Sequence, residues 1–119
     1  MDWFRIQNGL SLDPRLAVVA RKCGLGRGET LAIWIALYDH ASRNRPRGYL
    51  GGLGADEIAV LLDVDAGKAA SALDLFYERG MITTDNHIEE WTRIQRLSTE
   101  RVRACRARRA AITEGREEV

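Results

Sequence analysis

The chain has 119 residues, of which 45% are hydrophobic and 29% are charged, and its formal net charge is +1. This length allows one domain with a modest hydrophobic core, and the composition is that of an ordinary globular protein. No apolar run approaches the roughly 20 residues that cross a bilayer, and the first residues lack signal-peptide character, so we expect no membrane association.

Two helices are predicted in the first part of the chain. Asp13 is the expected N-cap of the first helix, Pro14 occupies its first position and Gly24 ends it. The second helix lies within residues 28–44 and is apolar on most of its faces, which is typical of a helix at the centre of a core.

A helix-turn-helix is predicted next. Pro46 and four glycines break the second helix, and Tyr49 and Leu50 could then form a short strand. Residues 55–62 and 66–79 are predicted as consecutive helices, with Asp65 in the turn between them.

A hairpin is predicted over residues 81–91, with Asp85 and Asn86 as its two-residue turn. A helix-turn-helix followed by a hairpin is a winged helix. The expected fold class is therefore α+β, mainly α: a winged helix-turn-helix with a basic C-terminal helix or tail. A small all-helical domain with an added hairpin is the alternative.

The core is expected to combine apolar side chains from the second, third and fourth helices. Seven of them should share it: Leu31, Trp34, Ile35, Ile58, Leu62, Leu73 and Phe76. Leu61 and Tyr77 are also predicted to face inward.

Charge is distributed unevenly along the chain. Residues 1–92 carry ten basic and thirteen acidic side chains, whereas residues 93–109 carry seven arginines and one glutamate. We therefore divide the chain into a winged-helix domain, 1–92, and an arginine-rich C-terminal helix or tail, 93–119. Such asymmetry is typical of a basic arm that meets a polyanion.

The arginine-rich segment is predicted to be helical over 99–112, with Ser98 as N-cap. Its apolar stripe of Val102, Cys105 and Ile112 is too thin to hold it firmly on a core. An arginine-dense helix of this kind is typical of a segment that becomes ordered on a phosphate backbone. A solvated surface helix without a ligand is the alternative.

No motif indicates catalysis or a cofactor. His40 and His87 stand alone, and neither pairs with Cys23 or Cys105 at the spacing of zinc ligands. We expect no enzyme activity, no cofactor and no metal. The two cysteines could form one disulfide, but two free thiols in a reducing cytoplasm are the expected state.

Candidate DNA contacts come from three parts of the chain. Lys68 and Ser71 lie in the first turns of the predicted recognition helix, the part that enters the groove in helix-turn-helix proteins. The loop before the short strand contributes Arg43, Arg45 and Arg47. The C-terminal segment contributes Arg93, Arg96, Arg101, Arg103, Arg106, Arg108 and Arg109.

The outward face of the predicted recognition helix is poor in basic groups, because it also carries Asp74 and Glu78. We therefore expect the C-terminal arginines to supply most of the affinity, and the loop arginines to hold the backbone. A winged helix that serves as a protein-docking scaffold is the alternative.

The chain resembles the N-terminal domain of phage and prophage replication-initiation proteins of the replisome-organiser type. The resemblance covers nearly all of it, including WFRIQNGLSLDPRLAVVARKCGL, AIWIALYDHASRNRPRGYLGGL, DEIAVLLDV and LFYERGMI. Its most specific part is IEEWTRIQRLSTERVRACRARR, through Trp91, Arg93, Gln95 and residues 98–109.

This resemblance implies a winged-helix domain that binds origin DNA in the cytoplasm of a bacterial host. Longer members continue into a linker and a domain that engages a helicase or helicase loader, so such a replication protein is a further implied partner. DNA binding is the expectation that we carry over. A phage transcriptional regulator is an alternative in the same class, and a protein-interaction module that docks on a replication partner is an alternative in another.

Overall fold

The computed structural model describes the backbone of residues 3–117, and side chains over 3–95 and 103–112. This part of the chain is mainly helical, as predicted. A short 3-10 helix, Leu10–Leu12, precedes five α-helices: α1 Pro14–Cys23, α2 Arg27–Arg43, α3 Ala55–Leu62, α4 Ala66–Glu78 and α5 Trp91–Glu117.

The predicted helix starts are confirmed by their hydrogen bonds. The Asp13 carboxylate accepts from the backbone N–H of Arg15 at 2.9 Å, and the Asp65 carboxylate accepts from that of Lys68 at 3.0 Å. Each carboxylate satisfies a backbone donor that has no partner within its helix. Helices α3 and α4 begin at the predicted residues.

The core lies where α2 meets α3 and where α1 meets both α2 and α4. Trp34, Ile58 and Phe76 are fully buried in it, and the rings of Trp34 and Phe76 are 4.9 Å apart between centroids. These three core predictions are confirmed. The other four side chains are partly buried and pack against the core: Leu31, Ile35, Leu62 and Leu73.

Two inward predictions are wrong. Leu61 is 73% exposed, because the short helix α3 buries Ile58 and places Leu62 against the core, which leaves Leu61 on the solvent side. Tyr77 is 41% exposed, because the buried stripe of α4 ends at Phe76 and the next residue lies about 100° around the helix.

The described residues contain no β-strand, so the two strands predicted over residues 81–91 are not formed. Instead, isolated antiparallel bridges join Tyr49 to His87 and Ile82 to Ile88. Helix α5 already begins at Trp91, which leaves too few residues after the turn for a second strand of ordinary length.

The turn that the Ile82–Ile88 bridge closes also differs from the prediction. The N–H of Asn86 donates to the carbonyl of Thr83 at 2.9 Å, and the N–H of Thr83 donates to the carbonyl of His87 at 2.8 Å. Thr84 and Asp85 are therefore the central residues, and Asn86 follows in the left-handed conformation with φ 64°. This is a three-residue loop, so the predicted two-residue turn Asp85-Asn86 is wrong.

Helix α5 is longer than predicted. It is continuous from Trp91, so Ser98 lies inside it and is not an N-cap, and the boundary drawn between residues 92 and 93 falls within one helix. The early start has a tertiary cause, since Trp91 is 6% and Ile94 is 4% exposed in the core. At 27 residues the helix is about 40 Å long.

Candidate nucleic-acid interface

A buried carboxylate lies immediately before α5. Glu90 is 4% exposed, accepts a hydrogen bond from the Tyr38 hydroxyl at 2.8 Å and pairs with the Arg15 guanidinium at 3.2 Å. Arg93, in the first turn of α5, lies 3.6 Å from the same carboxylate. Helices α1, α2 and α5 are thus joined at Glu90.

The pKa values of Asp13, Tyr38 and Arg15 keep these groups in the protonation states that the contacts around Glu90 require. A side-chain hydrogen bond from Arg15 holds the pKa of Asp13 below its ordinary value. Burial, and then the hydrogen bond to Glu90, raise the pKa of Tyr38 far above its ordinary value, so its hydroxyl keeps the proton that it donates. Arg15 remains charged, because its pKa is raised by its hydrogen bond to Asp13.

Sequence reasoning placed Tyr38 on the apolar stripe of the second helix but did not predict that it meets Arg15 and Glu90. The segment IEEW contains two adjacent glutamates, Glu89 and Glu90, and no periodic signal tells which is buried. The order of the elements does not show that Arg15, 75 residues upstream, reaches this place either.

A pocket of about 370 Å³ opens beside this cluster, between the 3-10 helix and the start of α5. Its charged lining consists of Asp13, Arg15, Glu90 and Arg93, which pair with one another. Two positive and two negative charges leave no surplus that would attract an anion. We therefore assign the cluster to holding the base of α5.

Arg47, one of the three predicted loop contacts, is engaged within the protein. Its Nε donates to the carbonyl of Ser42 at 3.0 Å, its Nη2 donates to the carbonyl of Trp3 at 3.2 Å, and its guanidinium lies 5.4 Å from the centre of the Trp91 ring. A Cβ atom on Gly48, which has φ 99°, would lie 2.7 Å from the same ring. Arg47 and Gly48 thus pack around the first residue of α5.

The other two loop arginines point outward. Arg43 is 70% exposed and pairs with Asp39 one helical turn away at 3.0 Å, and the exposed Arg45 donates to the carbonyl of Asn44 at 2.9 Å. Ion pairs at the surface contribute little, so Arg43 can leave Asp39 at small cost.

Lys68 and Ser71 lie exposed on the first turns of α4, as expected. The Ser71 hydroxyl donates to the carbonyl of Gly67 at 3.1 Å, and the Lys68 side chain lies beside Gly24 at the end of α1. The most extensive contacts of α4 are with α3 and α1, and Lys68 lies on the α1 side of the helix.

Residues 103–112, which we call the exposed part of α5, are all exposed. It carries four of the predicted DNA contacts: Arg103, Arg106, Arg108 and Arg109. Successive residues differ by 100° around a helix, so these arginines occupy more than one side of it. Arg93, which is 59% exposed, lies at the base of the helix. Arg96 and Arg101 lie outside the residues whose side chains are described.

The two histidines make local contacts, and the two cysteines are unpaired in the described part of the chain. His40 makes a hydrogen bond with the carbonyl of Gly51 at 2.8 Å, and the His87 ring lies 5.4 Å from that of Tyr49. Cys23 and Cys105 are free thiols, as expected. No three His, Cys, Asp or Glu residues of this part are grouped so that they could hold a metal ion.

Comparison of the chain with known protein families, with curated proteins and with solved structures finds no match. Among the described helices, none is both long and apolar enough to cross a membrane.

Proposed function

We propose that this chain is a DNA-binding protein of the winged-helix type that acts in phage DNA replication. The observation that carries the proposal is the exposed part of α5, where Arg103, Arg106 and Arg108 project into solvent from a helix attached to an acidic domain. A globular domain has no structural need for this charge, whereas a phosphate backbone attracts it.

The order of the elements supports a winged helix with a reduced wing. Helices α3 and α4 are consecutive, pack against each other and are joined by three residues. The turn at Thr84 and Asp85 follows them, held by the bridge between Ile82 and Ile88. In helix-turn-helix proteins the second helix lies in the major groove, which assigns that role to α4.

DNA would meet this protein chiefly through phosphates. The exposed arginines of α5 would neutralise them, with Arg43 and Arg45 holding the backbone near the core domain. Lys68 and Ser71 are the candidates for contacts from the tip of α4. Asp74 and Glu78 further along α4 are exposed and would repel phosphates, which limits the approach of that helix to its first turns.

The cluster around Glu90 gives α5 a defined direction. Arg15 and Tyr38 reach Glu90 from α1 and α2, and Trp91 packs against Tyr38 with ring centroids 5.5 Å apart. The basic helix would therefore be presented at a fixed angle to the domain, and its arginines would be brought to DNA together.

The test is a fluorescence-anisotropy titration with duplex DNA at several salt concentrations, comparing two triple variants. Arg103→Gln/Arg106→Gln/Arg108→Gln removes three charges from α5, and Arg21→Gln/Arg27→Gln/Arg79→Gln removes three exposed charges elsewhere. We expect the first to weaken binding to all sequences alike. It should also reduce the slope of log K against log salt by about 0.9 for each phosphate that the variant no longer neutralises.

The control triple variant should change the slope much less. Equal effects from both triple variants would mean that net charge, rather than α5, governs binding. Absence of any salt-dependent binding by the unmodified protein would overturn the proposal.

A protein-docking function is the second candidate, and one surface favours it. Val60 and Leu61 are 83% and 73% exposed next to each other on α3, and the exposed acids Asp56, Glu57 and Asp63 lie before and after them in the same stretch of chain. An apolar surface flanked by acids suits a basic partner protein better than DNA, and a helicase or helicase loader is the class that the resemblance implies. A Val60→Ser/Leu61→Ser variant that binds DNA normally but fails to support replication would favour this function.

A phage transcriptional regulator would use the same DNA contacts. Strong preference for a site in a promoter over a replication origin, measured by binding to fragments of the phage genome, would favour it over a replication role.

A further inference from the structure

Two large aromatic side chains are exposed beside the turn at Thr84 and Asp85. Tyr49 is 37% exposed in the segment after α2, and Tyr77 is 41% exposed near the end of α4. Neither belongs to the hydrophobic core, and together they leave aromatic surface open to solvent beside the turn.

The backbone holds Tyr49 firmly in this position. Its carbonyl accepts from the Asn44 side-chain amide at 2.6 Å, and it forms an antiparallel bridge with His87. The next residue, Leu50, donates its N–H to the carbonyl of Asn86 at 2.8 Å. Tyr49 is therefore presented by a fixed backbone and not by a free loop.

The Tyr49 ring has a defined orientation as well. It lies over Gly51, where a Cβ atom would overlap the ring, and its centroid is 5.4 Å from that of the His87 ring at an angle of 45°. Glycine at position 51 thus allows the ring to lie close to the backbone, with part of the ring still open to solvent.

Tyr77 completes the surface from the other side of the turn. Its hydroxyl donates to the side-chain oxygen of Asn86, the residue whose backbone carbonyl binds Leu50. Burial, and then the proximity of Tyr49, raise the pKa of Tyr77, which agrees with two phenol groups close together around Asn86. We refer to Tyr49, Tyr77 and His87 as the aromatic surface.

Charge is arranged asymmetrically around the aromatic surface. Arg43 and Arg45 are exposed in the segment that leads into Tyr49, and the Asn44 amide links that segment to Tyr49 directly. Glu78 and Asp85 are exposed on the side of α4 and the turn. Arg43 and Arg45, which precede Tyr49 in the chain, are therefore the candidates for phosphate contacts beside this surface, whereas Glu78 and Asp85 would repel phosphates.

We propose that the aromatic surface binds unpaired bases of single-stranded DNA, with Tyr49 and Tyr77 stacking on bases and Arg45 on the adjacent phosphates. Exposed aromatic rings next to arginines are the arrangement by which proteins bind single strands without reading sequence, because every base offers a π-face. Duplex DNA keeps its bases stacked inside and could not use these rings. This inference rests on the proposed DNA-binding function and specifies that the aromatic surface binds single-stranded DNA.

The first test compares binding to a 20-nucleotide single strand and to the matching duplex. The Tyr49→Leu/Tyr77→Leu variant should bind the single strand at least about tenfold more weakly than the unmodified protein, since stacking on an aromatic ring contributes strongly for each base. Its affinity for the duplex should change less than about twofold. The Tyr49→Phe/Tyr77→Phe variant keeps both rings and should retain most of the single-strand affinity.

The second test changes the DNA and leaves the protein intact, so it does not depend on a variant that folds. A single strand in which abasic sites replace the bases keeps every phosphate. The unmodified protein should bind it at least about tenfold more weakly than the normal strand.

A third test moves the Tyr49 ring without removing it. The Gly51→Ala variant should lose single-strand affinity, because a methyl group at position 51 displaces the Tyr49 ring.

Equal binding of normal and abasic strands by the unmodified protein would overturn the inference, whereas salt-dependent duplex binding would leave the proposed function standing. Unmodified protein that binds neither form of DNA would overturn both. If the leucine variant instead changes from dimer to monomer in sedimentation velocity, with single-strand affinity unchanged, the inference is wrong and the aromatic surface is an interface between copies of this chain.

Discussion

The two ends of helix α5 experience different environments. Its first turn is part of the core, with Trp91 and Ile94 buried and Gln95 exchanging two hydrogen bonds with the backbone of Arg5 at 3.0 and 2.9 Å. Residues 103–112 are exposed throughout. The first turn of this continuous helix therefore stabilises the fold, whereas residues 103–112 contribute positive charge to the surface.

This difference explains how an arginine-rich helix can be ordered at all. Nucleating a helix is costly, and isolated helices of low apolar content are marginal in water. In this protein the buried first turn supplies the nucleus, and the exposed turns extend from it. Substitutions at the two ends should accordingly affect different properties: stability at the first turn, and DNA binding in residues 103–112.

The largest expected effect comes from Trp91→Ala, compared with Ile112→Ala in the same helix. Trp91 is 6% exposed, so its truncation should lower the free energy of unfolding by about 3–5 kcal/mol. Ile112 is 58% exposed, and its truncation should cost less than about 0.5 kcal/mol. Urea unfolding followed by circular dichroism measures both. Similar costs at the two positions would show that the exposed turns are packed on a partner.

A smaller effect is expected for Glu90→Gln, compared with Glu89→Gln at the exposed neighbour. Glutamine can still accept from the Tyr38 hydroxyl, but it loses the charge that pairs with Arg15 and Arg93. The expected cost is about 1–3 kcal/mol, because hydrogen bonds to charged groups are stronger than neutral ones. Thermal unfolding of both variants gives the comparison, in which Glu89→Gln should lie within about 0.5 kcal/mol of the unmodified protein.

DNA binding separates this role from simple stability. If Glu90 sets the direction of α5, Glu90→Gln should weaken duplex binding at a temperature where the protein is fully folded, without changing the slope of log K against log salt. An altered slope would mean that Glu90 changes the number of phosphate contacts, which the geometry does not predict.

The smallest expected effect is the pH dependence that Asp13 contributes. Its pKa is lowered in the folded protein, so the stabilisation is present above about pH 4 and is lost as the pH falls through the folded pKa. Asp13→Asn keeps an N-cap of similar quality but removes this dependence. The difference between the two proteins should stay below about 1 kcal/mol, because the Arg15 partner is 38% exposed and solvent screens the pair.

Unfolding by urea between about pH 3 and pH 6 measures this difference. The unmodified protein should lose more stability than Asp13→Asn over the lower half of that range. Parallel pH profiles would show that the pair between Asp13 and Arg15 does not contribute to folding.

Local sequence signals predicted the helical framework well. Asp13, Pro14, Asp65 and the helices that begin at Ala55 and Ala66 are all found as expected, because capping and turn residues act on the backbone within a few positions. The full burial of Trp34, Ile58 and Phe76 followed from periodicity for the same reason.

The wing and the start of α5 could not be predicted in this way. Residues 81–91 show the alternation of a hairpin, but Trp91 packs against Tyr38 and Arg47, and this packing makes it the first residue of a helix. Tertiary contacts override local preference where a large side chain can be buried. For the same reason, the predicted N-cap at Ser98 lies inside α5.

The sequence by itself determined the helical elements, their caps and the concentration of arginine after Trp91, because each depends on neighbours along the chain. The tertiary structure decided that Glu90 is buried against Tyr38 and Arg15, that Arg47 packs on Trp91, and that Tyr49 and Tyr77 meet around Asn86. These contacts join residues that are far apart in sequence, and their partners are fixed only when the helices pack and bring specific side chains within hydrogen-bonding or van der Waals distance.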